Sequence, residues 1–161
     1  MKVENYHLEK LNGCHAVPVM AIFNHYIENG HAAYFEQPLP DSFYERLLAL
    51  SAGYPAVAVK EGDTVIGFAF LRAYHPALGQ SAEAAYFIHP DHTRRGIGKM
   101  LLEHLRKEAE AMGIKTIIAS ISSLNQESIA FHKRNGFREA GRLRSMGSKL
   151  GKEFDVVYMQ G

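Results

Sequence analysis

One cysteine, Cys14, is the whole thiol complement of this 161-residue chain. An internal disulfide is therefore impossible, and such sparing use of thiols suits a reducing cytoplasm. Cys14 stands near the start of a predicted helix with no partner motif beside it, so it reads as a small, half-buried residue rather than a nucleophile. Excess charge of either sign is missing too: 18 basic side chains meet 17 acidic ones, for a formal net charge of +1. That balance leaves no broad electrostatic footprint for nucleic acid. No run of about 18 apolar residues is present, so no membrane-crossing helix is expected. The opening Met1-Lys2-Val3-Glu4-Asn5 has no apolar stretch of the kind a secretion signal needs. Internal repeats, low-complexity tracts and linkers are lacking as well. What is there is 47% hydrophobic and 22% charged residues, the mixture of a packed globular domain. One domain over residues 1–161, soluble and cytoplasmic, is expected.

Periodicity sketches the elements. After a short start at Leu8 to Leu11, Val17, Met20, Ala21 and Phe23 to Ile27 recur at helical spacing until Asn29-Gly30. Pro38 and Pro40 mark a loop, and Asp41 or Ser42 caps a helix carrying Phe43, Leu47, Leu48 and Leu50. Strands at 56–59 and 65–71 flank a hairpin turn at Glu61-Gly62-Asp63, and a third spans Ala82 to Ile88 before Pro90. A strong helix runs from Gly96 to Met112, with Ile97, Leu101, Leu105 and Ala109 on one stripe and Gly113 at its end. A strand at 116–121, a short helix at 125–134 and strands at 137–143 and 154–159 complete the chain. The expected architecture is a mixed α/β sheet with a crossover unit in its second half.

Chemistry concentrates where the third strand meets the strong helix: Tyr86-Phe87-Ile88-His89-Pro90-Asp91-His92-Thr93-Arg94-Arg95-Gly96-Ile97-Gly98-Lys99. A turn there points unpaired backbone N–H groups outward at the positive end of the helix dipole. Gly96 and Gly98 let a pyrophosphate approach the backbone, while Arg94, Arg95 and Lys99 add charge for its oxygens. Neither common nucleotide signature applies, because G-x-x-x-x-G-K-[ST] is absent and G-x-G-x-x-G fails at Leu101. His89 and His92 have H-x-x-H spacing, but without a third ligand no metal site is expected.

That segment resembles the coenzyme A loop of the GNAT superfamily of N-acetyltransferases. The stretch Asn125-Gln126-Glu127-Ser128-Ile129-Ala130-Phe131-His132-Lys133-Arg134-Asn135-Gly136-Phe137 resembles the superfamily's second motif. The segment Ile22 to Asn29, His132, and the end from Gly141-Arg142-Leu143 through Lys149 and Gly151 to Gln160 are similar to the phosphinothricin acetyltransferase branch. The resemblance implies the GNAT fold: α/β (α+β), with a mixed, mostly antiparallel sheet splayed in the middle and helices on both faces. It also implies acetyl-CoA as co-substrate, a small amino-acid-like amine as acceptor (phosphinothricin, methionine sulfone or methionine sulfoximine), and a homodimer. Two departures stand out. Thr93 replaces the usual Gln or Arg three residues before the first loop glycine. The Arg72 to Gln80 segment lacks an arginine-rich run that could hold a substrate carboxylate, which puts herbicide-type substrates in question.

Roles follow. Glu83, in an apolar strand, is the candidate base, since burial raises a carboxylate's pKa toward the working range. His132 shares a helical stripe with Asn125 and Ser128, and the resemblance implies a catalytic part for it. By the same analogy Asn125 bonds the pantetheine arm. Tyr86, Phe87 and Ile88 meet the cofactor mainly through their backbone, where one strand N–H serves as oxyanion donor. Phe35, Glu36 and Tyr74 are candidates to line the substrate end. Two other readings keep the donor but change the outcome: acetylation of protein N-termini or polyamines, and an acetyl-CoA sensor without turnover.

Overall fold

A computed structural model describes residues 5–161. Its strands are β1 (Tyr6–Lys10), β2 (Ala56–Glu61), β3 (Thr64–Ala73), β4 (Ser81–Ile88), β5 (Thr116–Ser122), β6 (Arg138–Lys149) and β7 (Lys152–Gln160). Its helices are α1 (Ala16–Glu28), α2 (Tyr44–Leu50), α3 (Ile97–Ala111) and α4 (Gln126–Arg134). All seven strands lie in one sheet, ordered β1-β2-β3-β4-β5-β7-β6. Every pairing is antiparallel except β4 with β5. Among the described residues no helix is long and apolar enough to cross a membrane.

Two apolar clusters, one per face, hold the layers together. On one face Val57, Ala69, Leu71 and Ala82 pack with Leu101, Leu102 and Leu105 of α3, Ile129 of α4 and Ile117 and Val157 of the second half. On the other, Ala58, Phe68 and Phe70 pack with Val19, Met20, Ile22, Phe23 and Ile27 of α1 and with Tyr44 and Leu47 of α2. Strand alternation produces this division, since Ala58 faces one layer while Val57 and Val59 face the other. The α3 leucines are wholly buried, each contributing about 1.5–3 kcal/mol by leaving water.

Three details differ from the sequence reading. The Leu8–Leu11 start is the strand β1, paired with β2 from Tyr6↔Glu61 to Lys10↔Val57, so a strand precedes the first helix. Cys14 is exposed, not half-buried. It occupies the middle of a 3-10 turn, Gly13–His15, whose inward position belongs to the buried His15. Strand β6 runs past Leu143 to Lys149, because Gly147–Lys149 pair with Lys152–Phe154 across a register shift. The shift is pinned by Asp155, which accepts from the Ser145 N–H at 2.8 Å and from Arg142 at 3.0 Å.

The feature that positions the site is the short ladder between β4 and β5. It covers only Ser81–Glu83 against Thr116–Ile118. Beyond Glu83 the strands diverge, as the resemblance implied. His89 N–H donates to Ile66 O at 2.8 Å, so the alternation places the Phe87, Ala85 and Glu83 amides on the β3 side. The amides of Tyr86 and Ile88, past the end of the β4–β5 ladder, therefore face the gap.

Candidate active site

The gap opens into two cavities that share Ala32, Tyr86, Phe87, Asn125 and Ser128. The larger, about 750 Å³, runs from Ile88 past Thr93, Arg94, Gly96, Gly98 and Lys99 to Phe131. Gly96 takes the position before α3 with φ 81, and no side chain caps that helix. Arg94 also lies in the left-handed region, with φ 63. Two such residues in three positions wind the loop into a concave run of N–H groups, an anion cradle at the helix's positive end. A Cβ at Gly98 would lie 3.4 Å from Ile88 Cδ1 and from Phe131 Cε1, taking up space between two residues that line the cavity. This fits the diphosphate and pantetheine arm of coenzyme A, with backbone amides supplying the grip. Arg95 is exposed and lines neither cavity, while Ile97 turns its side chain into the core, where it is 1% exposed.

The smaller cavity, about 350 Å³, lies on the other side of Tyr86 and Phe87. Phenylalanine rings wall it: Phe23 meets Phe35 edge-on at 6.2 Å and Phe87 at 5.2 Å, and Phe35 meets Phe43 at 5.8 Å. Its charged groups are Arg72 and Glu83, opposed across the β3–β4 ladder and joined by an ion pair of 3.2 Å. Glu83 is thus not a lone buried carboxylate. Tyr34 closes the chamber from the α1–α2 loop, its hydroxyl 2.9 Å from Ser120 Oγ and its ring stacked on Phe154 at 5.5 Å.

His132 lies at the floor of the smaller cavity, 2% exposed. Its Nδ1–H donates to the Ser128 carbonyl at 2.7 Å, one helical turn back. Nε2 is then the acceptor, and the Tyr86 hydroxyl donates to it. Three rings enclose the imidazole: Tyr86 stacks on it at 5.6 Å, and Phe131 and Phe137 approach edge-on at 5.3 and 4.9 Å. Burial lowers the His132 pKa, with Arg106 adding to the effect, so the ring is neutral at neutral pH. Burial raises the Tyr86 phenol well above its ordinary range.

The remaining candidates divide. Asn125 caps α4, its Oδ1 accepting from the Ser128 N–H at 3.2 Å, which leaves its Nδ2 hydrogens to offer a cofactor amide. Phe35 lines the smaller cavity. Glu36 instead accepts from the Leu150 N–H at 3.2 Å, and Tyr74 lines a separate groove with Leu78, Thr116 and Ile118 at the start of β4. His89 and His92 each contact one carboxylate, Asp91 and Glu61, and no cluster of three ligating residues occurs among the described residues. Sequence reasoning missed Tyr34 and the Tyr86 hydroxyl, and it allowed Glu83 a basic neighbour without naming Arg72. Only the short step from Tyr34 to Phe35 gave any signal.

Comparison with known proteins agrees with this geometry. The model of the acetyltransferase (GNAT) family matches residues 20–137. A phosphinothricin N-acetyltransferase of Alcaligenes faecalis is 32% identical over 88% of this chain and 75% of its own. The L-methionine sulfoximine/L-methionine sulfone acetyltransferase of Pseudomonas aeruginosa PAO1 is 31% identical over 88% of this chain and 86% of its own. In three dimensions the chain is similar to a phosphinothricin acetyltransferase from Sinorhizobium meliloti in complex with acetyl-CoA, with TM-score 0.90 and 29% identity over 98% of this chain and 88% of that one. With an anion cradle, a splayed strand and a family match over most of its length, the chain belongs to the GNAT family of N-acetyltransferases and takes acetyl-CoA as its co-substrate.

Proposed function

We propose that the acceptor is the primary amine of a small amino-acid-like molecule, of the kind named for the phosphinothricin and methionine sulfoximine/sulfone relatives. One observation carries the reading: a matched cation and carboxylate, Arg72 and Glu83, face a chamber that joins the coenzyme A cavity at Tyr86. An amino acid brings the complementary pair. Arg72 takes its carboxylate, and Glu83 takes a proton from its ammonium, freeing the amine that attacks the thioester carbonyl. One of the amides turned into the gap, that of Tyr86 where the cavities meet, supplies a hydrogen bond to the carbonyl oxygen as it gains charge. His132 serves the departing sulfur.

The phenylalanine walls support a compact acceptor. The Arg72 cation beside the chamber's carboxylate disfavours a polyamine, which brings positive charge and no carboxylate of its own. A homodimer completes the reading, supported by the exposed Leu143 and Met146 on β6, the outermost strand; light scattering after size exclusion checks it. A cytoplasmic location follows the sparing use of thiols.

The test is thiol release from acetyl-CoA with amino acid analogues, polyamines and peptides offered side by side. Turnover confined to small α-amino acids is expected. Preference for peptides or polyamines, or acetyl-CoA binding without turnover on any amine, refutes the proposal.

A further inference from the structure

Neither ring nitrogen of His132 is open to the cavities. Nδ1 is held by the Ser128 carbonyl and Nε2 by the Tyr86 hydroxyl, and Phe131 and Phe137 stand against the imidazole edge-on. His132 lines the smaller cavity alone, whereas Tyr86 lines both at the place where they meet. A proton that His132 gives or takes at Nε2 during the reaction therefore passes through the phenol.

We infer that the Tyr86 hydroxyl is a catalytic residue, the relay that carries a proton from the attacking nitrogen to the coenzyme A sulfur with His132 as its reservoir. This rests on the acceptor reading above. When the free amine forms its C–N bond, the nitrogen becomes positively charged and must shed one proton. Tyr86 Oη accepts it while its own proton moves to His132 Nε2, leaving a neutral phenol and an imidazolium. As the C–S bond breaks, the electron pair goes to sulfur. Nε2 then returns its proton to Oη, which passes one to the thiolate. The products are an amide and a thiol, and the tyrosine–histidine pair ends as it began. No lasting phenolate forms, which suits a phenol that burial makes a weak acid. The imidazolium is brief, as required by a ring that burial and the nearby Arg106 keep neutral at rest. Arg106 itself is tied to the Asn135 carbonyl at 2.7 Å and lies 5.0 Å over the Phe137 ring. It is the charged group bearing on the pair.

The experiment compares wild type, Tyr86→Phe and His132→Gln in three measurements: acetyl-CoA affinity by calorimetry, kcat and KM for the best amine, and the imidazole titration of His132 by NMR. Tyr86→Phe changes one oxygen and keeps the ring packing. Expected are acetyl-CoA affinity within about twofold of wild type and a kcat loss of about 100-fold or more with little change in KM, the scale of positioned acid–base groups. His132 in Tyr86→Phe should titrate at higher pH than in wild type, because the neutral ring has lost its donor. Tyr86→Phe with wild-type kcat overturns the relay, whether or not His132→Gln is impaired. If the wild type binds acetyl-CoA but turns over no amine, the acceptor reading fails separately. The NMR arm still decides the pairing, and an unmoved His132 titration overturns it.

Discussion

Lys149 is the least expected buried group in the protein. It is 1% exposed, and its ammonium donates to the Tyr26 carbonyl at 3.0 Å and to the Ala33 carbonyl at 2.6 Å. Tyr26 lies in the last turn of α1, where unpaired carbonyls favour a cation. Ala33 begins the part of the loop that carries Tyr34 and Phe35 into the acceptor chamber. Consider Lys149→Met, which keeps length and apolar volume but deletes the charge. Two buried carbonyls then lose their donor, at about 1–3 kcal/mol each. Against this, the ammonium no longer has to be stripped of water, and that relief offsets part of the loss; the desolvation already lowers its pKa. The balance is a destabilisation of about 2 kcal/mol, or roughly 4–8 °C in Tm for a chain of this size. The effect on catalysis is selective. Freed at Ala33, the loop closes the acceptor side less often, so KM for the amine should rise about tenfold, ~1.4 kcal/mol. Acetyl-CoA affinity should hold. Thermal melts, calorimetry and initial rates at varied amine check all three. Lys149→Met with unchanged Tm and unchanged amine KM would refute the strut.

Other expectations concern the site itself. Glu83→Gln should lower kcat about 100-fold. Arg72→Met should raise KM for methionine sulfone but not for its decarboxylated amine, as steady-state kinetics with both compounds will show. Because burial depresses the His132 pKa, its stabilising share is present above the unfolded value of about 6.5 and is lost as pH falls through the folded value. Melting temperatures from pH 8 to 5 should therefore drop on the acid side in wild type and drop less in His132→Gln; equal slopes would count against this. Gly98→Ala should keep or slightly raise Tm, since alanine is the better helix residue. Its methyl group intrudes between Ile88 and Phe131, so calorimetry should find acetyl-CoA affinity down about fivefold, ~1 kcal/mol.

The frame was readable because each element advertises itself locally. The α3 stripe of Ile97, Leu101, Leu105 and Ala109 is buried as its spacing required, and Gly113 follows the helix end with φ 81. The glycines of the coenzyme A loop were legible for the same reason, since one turn holds the whole signal. Groups that meet across the fold were not. Arg72 and Glu83 pair through strand register, and Tyr86 and His132 meet from positions 46 residues apart. Lys149 looks like a solvated strand-end lysine until β6 is seen to continue through a bulge and carry it beneath α1. The long β6 hid behind Arg142, Arg144 and Ser145, a polar run without the alternation of a half-buried strand.

The three-residue contact between β4 and β5 has a consequence for how the enzyme lives with its donor. Coenzyme A held in the larger cavity would fill the side of β4 that a neighbouring strand leaves open, and the thioester would then double as mortar between the two halves of the sheet. A protein mortared by its own reactant becomes sturdier as that reactant grows plentiful. Resistance to heat and proteases should thus track acetyl-CoA supply, tying the enzyme's lifetime in a cell to the abundance of the acetyl groups it spends.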